Sequence, residues 1–179
     1  FCDGEINLET DLKGNYQSEN IRTSVFTLNE LRKKGFSISE ENIKIGLLSV
    51  VKNTLILGRW QILQKEPIII CDSAHNEDGI IKIVKQLSEL GYKELHFVLG
   101  TVNDKNIDNI LDLLPKKARY YFCQANIPRS LDKESLQSKS EKYGLSGKVY
   151  NSVSQALKTA KKNAKKEDCI FVGGSTFVV

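Results

Sequence analysis

Cys71-Asp72-Ser73-Ala74-His75-Asn76 follows directly on Pro67-Ile68-Ile69-Ile70, and the junction between them decides the fold. The first run is short, apolar and rich in β-branched residues, the pattern of a strand buried on both faces. Downstream, Glu77 to Leu90 sets Ile80, Ile81, Val84, Leu87 and Leu90 on one helical stripe and stops at Gly91, a residue suited to a left-handed helix end. The polar cluster therefore occupies a strand-to-helix turn. In parallel α/β sheets, ligands collect at the carboxyl ends of strands, where the N–H groups of the next helix favour anions. Two readings stand side by side: Asp72 or Asn76 caps the helix and His75 is a surface histidine, or the cluster faces a ligand.

Composition narrows the class. The chain has 179 residues, 40% of them apolar, and a net charge of +4, as expected of a globular protein. No apolar run reaches the roughly 18 to 20 residues that cross a bilayer, and Phe1-Cys2-Asp3-Gly4 does not begin a signal peptide; a cytoplasmic protein without membrane contact is expected. Four widely spaced cysteines, Cys2, Cys71, Cys123 and Cys169, form neither a zinc pattern nor a disulfide framework. The lysines of 158–166 recur on a solvated helix face, so no nucleic-acid partner is expected. A chain that starts with Phe and contains no Met reads as a fragment. It also lacks Gly-x-x-x-x-Gly-Lys-Ser/Thr, the phosphate loop of many ATP-using enzymes.

Outward from the central turn, Ile21, Val25, Leu28 and Leu31 mark a helix ending before Gly35. Ser39-Glu40-Glu41-Asn42 opens a second, carrying Ile43, Ile45, Leu47 and Leu48. This pair lacks a sheet of its own and must cover some other surface. Residues 50–58 read as an apolar connection. Trp60 to Leu63 and Pro67 to Cys71 flank a polar turn at Gln64-Lys65-Glu66, predicting a hairpin with an antiparallel edge strand. Then follow strands at 95–99, 119–123, near Val149 and at 169–172, alternating with helices at about 107–114, 131–143 and 153–166. The fold predicted is α/β: a Rossmann-like, mostly parallel sheet with flanking helices. Gly100 to Lys105, Gln124 to Arg129 and Gly173 to Thr176 would all leave strands at the edge that carries Asp72 and His75.

The ordered set of Gly58-Arg59, Asp-x-Ala-His-Asn at Asp72 to Asn76, Gly-x-x-x-Asp-Lys at Gly100 to Lys105, Pro128-Arg129 and Gly174-Ser175 resembles the folylpolyglutamate synthase/dihydrofolate synthase family of the Mur ligase superfamily. A further likeness lies at 11–20, to Leu-Pro-Gly-x-x-Gln-x-x-Asn, and the resemblance spans about residues 8 to 179. It implies the end of a central ATP-binding domain at 1–50, a hinge at 51–58 and the C-terminal glutamate-ligase domain at 59–179.

The implied reaction joins L-glutamate to folate, dihydropteroate or both through an acyl phosphate, with ATP and Mg²⁺ as cofactors and a monomer as the working unit. Arg59 would neutralise phosphate charge on domain closure, and Asp72 would meet the ribose. Asn20 would reach the adenine, against a cap or turn role. His75 would bind glutamate or orient its amine, and Lys105 and Ser175 would help hold carboxylates. Metal ligands and a phosphate loop would come from outside this chain, which alone would be inactive. Departures from the family pattern are Ser73 for Gly, Glu77 for Pro and Asn106 for Asp. Two other readings stay open: a muramyl-peptide-type ligase for another acid, and a non-catalytic nucleotide-binding or interaction module.

Overall fold

The computed structural model describes residues 2, 3, 6–103 and 107–179. It divides into two compact units, Phe1–Arg59 and Trp60–Val179.

The first unit opens with β1 (Cys2–Asp3) and β2 (Ile6–Asn7), a short antiparallel pair. Three helices follow: α1 (Gln17–Lys33), α2 (Glu40–Leu48) and α3 (Val50–Thr54). Ser39 and Asn42 begin α2 with a reciprocal capping box, each side chain bonding the other's backbone N–H, which satisfies two donors that a helix start leaves free. Leu8, Ile21, Val25 and Ile43 form its small core. Phe26, Phe36, Ile45, Leu48, Leu55 and Leu57 stay exposed. Of the apolar residues that α2 carries, Ile43 is buried while Ile45 and Leu48 face solvent, and one expectation changes, since the connection at 50–58 starts as helix.

The second unit is a six-stranded sheet with helices on both faces. In chain order it comprises β3 (Gln61–Lys65), β4 (Ile68–Asp72), α4 (Glu77–Ser88), β5 (Leu95–Leu99), α5 (Ile107–Leu113), β6 (Ala118–Cys123), α6 (Lys133–Glu141), β7 (Gly147–Tyr150), α7 (Val153–Asn163) and β8 (Cys169–Gly173). Across the sheet the order is β3-β4-β8-β5-β6-β7. Only β3 runs antiparallel, as the predicted edge of a hairpin. The hairpin turns one residue later than expected, at Glu66-Pro67.

Alternation splits the core. Ile69, Cys71, Val98, Tyr121, Cys123, Ile170 and Val172 meet Ala156 and Ala160 of α7 on one face. The opposite face carries an aromatic row in which Phe97 lies 4.9 Å from Phe171 and 5.3 Å from Tyr120, ring centre to ring centre. In α4 the buried positions are Ile80, Ile83, Gln86 and Leu87, while Ile81 is exposed; a residue one step from Ile80 is turned about 100° away from it. Gly91 is not left-handed. The helix closes instead with Leu90 N–H on the Leu87 carbonyl at 3.1 Å.

Candidate functional site

Register brings the polar loops together. Asp72 stands opposite Gly173, and Gly173 opposite Leu99, so β4, β8 and β5 end in one row. The loops that follow are Ser73 to Asn76, Gly174 to Thr176, and Gly100 onward. Gly174 has φ +98°, and a Cβ there would lie 2.7 Å from the Gly100 carbonyl oxygen. Only glycine combines that backbone angle with that approach. Loops after β5 and β6 are zipped by main chain: Asn103 N–H donates to Arg129 O, and Leu131 N–H to Thr101 O, both at 2.9 Å.

His75 is exposed, and its Nδ1 lies 2.9 Å from the carbonyl oxygen of Ser73. A carbonyl only accepts, so Nδ1 carries the hydrogen and Nε2 of the neutral ring presents its lone pair. Asn76 is the N-cap of α4, its side chain accepting from Gly79 N–H at 2.9 Å. The capping reading thus holds for Asn76 and leaves His75 available. Ser73 has an ordinary backbone, and Glu77 is drawn sideways to Asn109 of α5 at 2.8 Å.

Asp72 is buried, and main-chain donors take up its carboxylate: Trp60 N–H reaches Oδ2 at 2.6 Å and Ala74 N–H reaches Oδ1 at 2.9 Å. The oxygens expected to meet a ribose organise the protein's own backbone. Ser175 is also buried, its hydroxyl accepting from Phe177 N–H at 3.2 Å. Arg59 is exposed at the end of the first unit. Asn20 lies inside α1, donating to Gln17 at 2.8 Å, and is neither a cap nor a turn residue. Lys105 falls outside the described residues.

Trp60, expected to open the hairpin strand, lies just before β3, which begins at Gln61, and no role was read for it from sequence. It is buried against Phe171, 6.3 Å between rings, with a left-handed φ of +50°, an outlier for a bulky residue. Beyond β6 and β7 lies a cleft lined by Gln124, Asn126, Asn151, Ser152, Ser154 and Phe177, of which the sequence pointed to the loop of Gln124 and Asn126 and not to the segment 151–154. Arg129 has its guanidinium 5.1 Å from the Phe177 ring centre.

At the other end of the strands, His96 and Asp168 are buried. His96 Nδ1 lies 2.8 Å from the Tyr121 hydroxyl, and Nε2 lies 3.5 Å from Asp168. With exposed Glu94 these form the sole cluster of three metal-ligating side chains found among the described residues, and it is remote from His75. Burial pushes the His96 pKa down. For Asp168, burial works upward, but hydrogen bonds from Lys165 N–H and Glu94 N–H, with the His96 ring 3.5 Å away, hold the carboxyl below its usual range.

The family described as Mur ligase, glutamate ligase domain, matches residues 58–176. A Haloferax volcanii protein named "Probable bifunctional folylpolyglutamate synthase/dihydropteroate synthase" is 32% identical over 97% of this chain, which covers 20% of that protein. The Escherichia coli dihydrofolate synthase/folylpolyglutamate synthase is 32% identical over 83% of the chain, covering 34% of the enzyme. The structure of E. coli FolC in complex with ADP superposes with a TM-score of 0.77 at 30% identity, over 96% of this chain and 39% of that one. The chain thus spans about a fifth to a third of the length of these curated relatives.

Proposed function

The chain belongs to the Mur ligase family through its glutamate ligase domain, and from that premise we propose that it is the C-terminal part of an ATP-dependent ligase adding L-glutamate to folate, dihydropteroate or both. The observation that carries this reading is the row of strand ends: Asp72, Gly173 and Leu99 in register, with His75 and Ser175 on the loops they launch. Residues 1–50 are read as the end of the central ATP-binding domain, 51–58 as the hinge and 59–179 as the glutamate-ligase domain. The exposed apolar side chains of the first unit agree with a segment whose covering surface lies elsewhere in the protein.

The chemistry asks for charge control. ATP supplies the phosphoryl group that activates the acceptor carboxylate, and Mg²⁺ offsets phosphate charge. No phosphate-loop motif and no metal-ligand cluster near His75 is found among the described residues, so the γ-phosphate and Mg²⁺ are assigned to ligands elsewhere in the whole protein. Arg59 brings a permanent cation to the phosphates, and Asn20 contacts the adenine. Asp72 supports the nucleotide site by holding Trp60 and the turn before α4; a ribose would have to share its carboxylate with them. His75 Nε2 accepts a hydrogen from the ammonium of glutamate, steering the amine toward the activated carboxyl. Lys105 and Ser175 help hold the glutamate carboxylates, Ser175 through the O–H that its bond from Phe177 N–H leaves to donate. A cytoplasmic monomer is the working form.

The test is ADP release by the complete protein with Mg-ATP and L-glutamate, supplying dihydropteroate in one tube and a reduced folate in the other. Glutamate-dependent turnover in both establishes two activities, and turnover in one establishes which. None in either removes the folate assignment and leaves a muramyl-peptide-type ligase for another acid, or a non-catalytic module.

A further inference from the structure

The cleft at the carboxyl ends of β6 and β7 is open to solvent and offers about 600 Å³, within the roughly 300–1,000 Å³ of ordinary ligand pockets. Its lining holds no charged side chain. Gln124, Asn126 and Asn151 offer amide donors, and the cleft contains the start of α7. Ser152 caps that helix through Gln155 N–H at 3.1 Å, which leaves the N–H groups of Val153 and Ser154 as first-turn donors without an intrahelical acceptor. Phe177 forms one wall and carries the exposed Arg129 guanidinium on its ring. No carboxylate among the described residues pairs with that guanidinium. Donors, a helix start and an Arg at the rim, with no opposing acid among the described residues, form a site for carboxylates.

We infer that this cleft is a subsite for the chain of γ-linked glutamates already carried by the acceptor, distinct from the place of the incoming glutamate. Two features favour an extended acidic chain over one amino acid. The volume exceeds what a single glutamate fills. The donors are neutral amides spread along the cleft, with one cation at the rim, so several carboxylates find partners and none is locked. Continuity with the reacting centre comes from the terminal turn, since Phe177 N–H donates to Ser175 Oγ; one turn borders both places. The inference rests on the glutamate-ligase reading.

The experiment uses the complete protein and two acceptors, reduced folate bearing one or three γ-linked glutamates, with Arg129→Ala, Arg129→Lys and Asn151→Asp variants. Arg129→Ala is expected to raise KM for the triglutamyl acceptor about tenfold, the loss of one charge-assisted hydrogen bond. KM for ATP, L-glutamate and the monoglutamyl acceptor should stay at wild-type values. Arg129→Lys should restore most of the loss, and Asn151→Asp should reproduce it by adding an acid to the cleft. Equal effects on both acceptors, a rise confined to L-glutamate, or no effect overturns the inference. Should the protein ligate no glutamate, titration with free γ-linked triglutamate decides separately. Binding that Arg129→Ala abolishes supports the subsite, and absence of binding overturns it.

Discussion

Trp60 donates its backbone N–H to Oδ2 of Asp72 at 2.6 Å while holding a left-handed φ of +50°. Such a backbone costs about 1–3 kcal/mol and persists only where the surroundings impose it. Here a buried carboxylate does so from twelve residues away, and it fixes Ala74 as well. Asp72→Ala leaves two donors without a partner and is expected to destabilise the protein by about 3 kcal/mol, with Asp72→Asn costing about half as much. Urea unfolding of both variants checks the order; equal stability of Asp72→Ala and wild type would remove the clamp.

Tyr121, His96 and Asp168 form a buried polar chain that exposed Asn163 closes at the surface: Asn163 Nδ2 lies 3.2 Å from the Tyr121 hydroxyl, which meets His96 Nδ1. With the hydroxyl donating to Nδ1, the hydrogen on Nε2 faces Asp168. Burial favours the neutral ring and lowers its pKa from 6.5. A base with a depressed folded pKa takes up protons more readily when unfolded. Its contribution is complete above about pH 6.5 and is lost as the pH falls through the folded value. Asp168, also lowered, from 3.8, adds a second loss in the same direction below about pH 4. Unfolding midpoints measured from pH 8 to 3 should show both steps, and His96→Leu should remove the first.

Much of the sheet is legible in local pattern. The β-branched runs at 68–70 and 169–172 are strands, and Ser39-Glu40-Glu41-Asn42 starts a helix as read. Strand order is not legible, because periodicity records which residues are buried and not their partners; nothing local places β8 between β4 and β5. The two-residue pair β1–β2 is too short to carry a period. Trp60 shows the limit most clearly, since its left-handed backbone is imposed by a distant carboxylate while its neighbours read as ordinary strand. In the candidate site, the convergence of Asp72, His75 and Ser175 followed from a parallel sheet. Burial of Asp72 and Ser175 did not, because turn polarity cannot reveal that main-chain donors occupy both side chains.

Gly174 has no room for a side chain. Gly174→Ala would drive Cβ into the Gly100 carbonyl oxygen at a φ of +98°, and should cost about 2 kcal/mol or more. The shift would also move the turn bearing Ser175. Unfolding midpoints give the first effect, and KM for L-glutamate in the complete enzyme gives the second.

Three thiols sit in the sheet. Burial pushes Cys123 and Cys169 up to about 12 and Cys71 to about 11, the last helped by the charge of Asp72. Thiolate is the reactive form, so iodoacetamide at pH 8 should leave all three unmodified in the native protein and label them in urea. Labelling of any one without denaturant, read by peptide mass, would show that strand to open.

His75 and Arg59 are both exposed, so truncating either should change stability by no more than about 0.5 kcal/mol, and their effects on turnover can be read directly. Arg59→Ala in the complete enzyme removes a cation assigned to the phosphates. It should lower kcat about 10²- to 10³-fold, the usual loss for one transition-state contact. His75→Ala removes an acceptor assigned to the glutamate ammonium, so KM for L-glutamate should rise while KM for ATP stays put. Because the Ser73 carbonyl fixes the ring through Nδ1, the position of Nε2 is the variable that counts. His75→Gln should therefore recover little, its amide lacking a ring nitrogen at that place. Equal changes in both Michaelis constants would move His75 from the amine to the nucleotide side of the site.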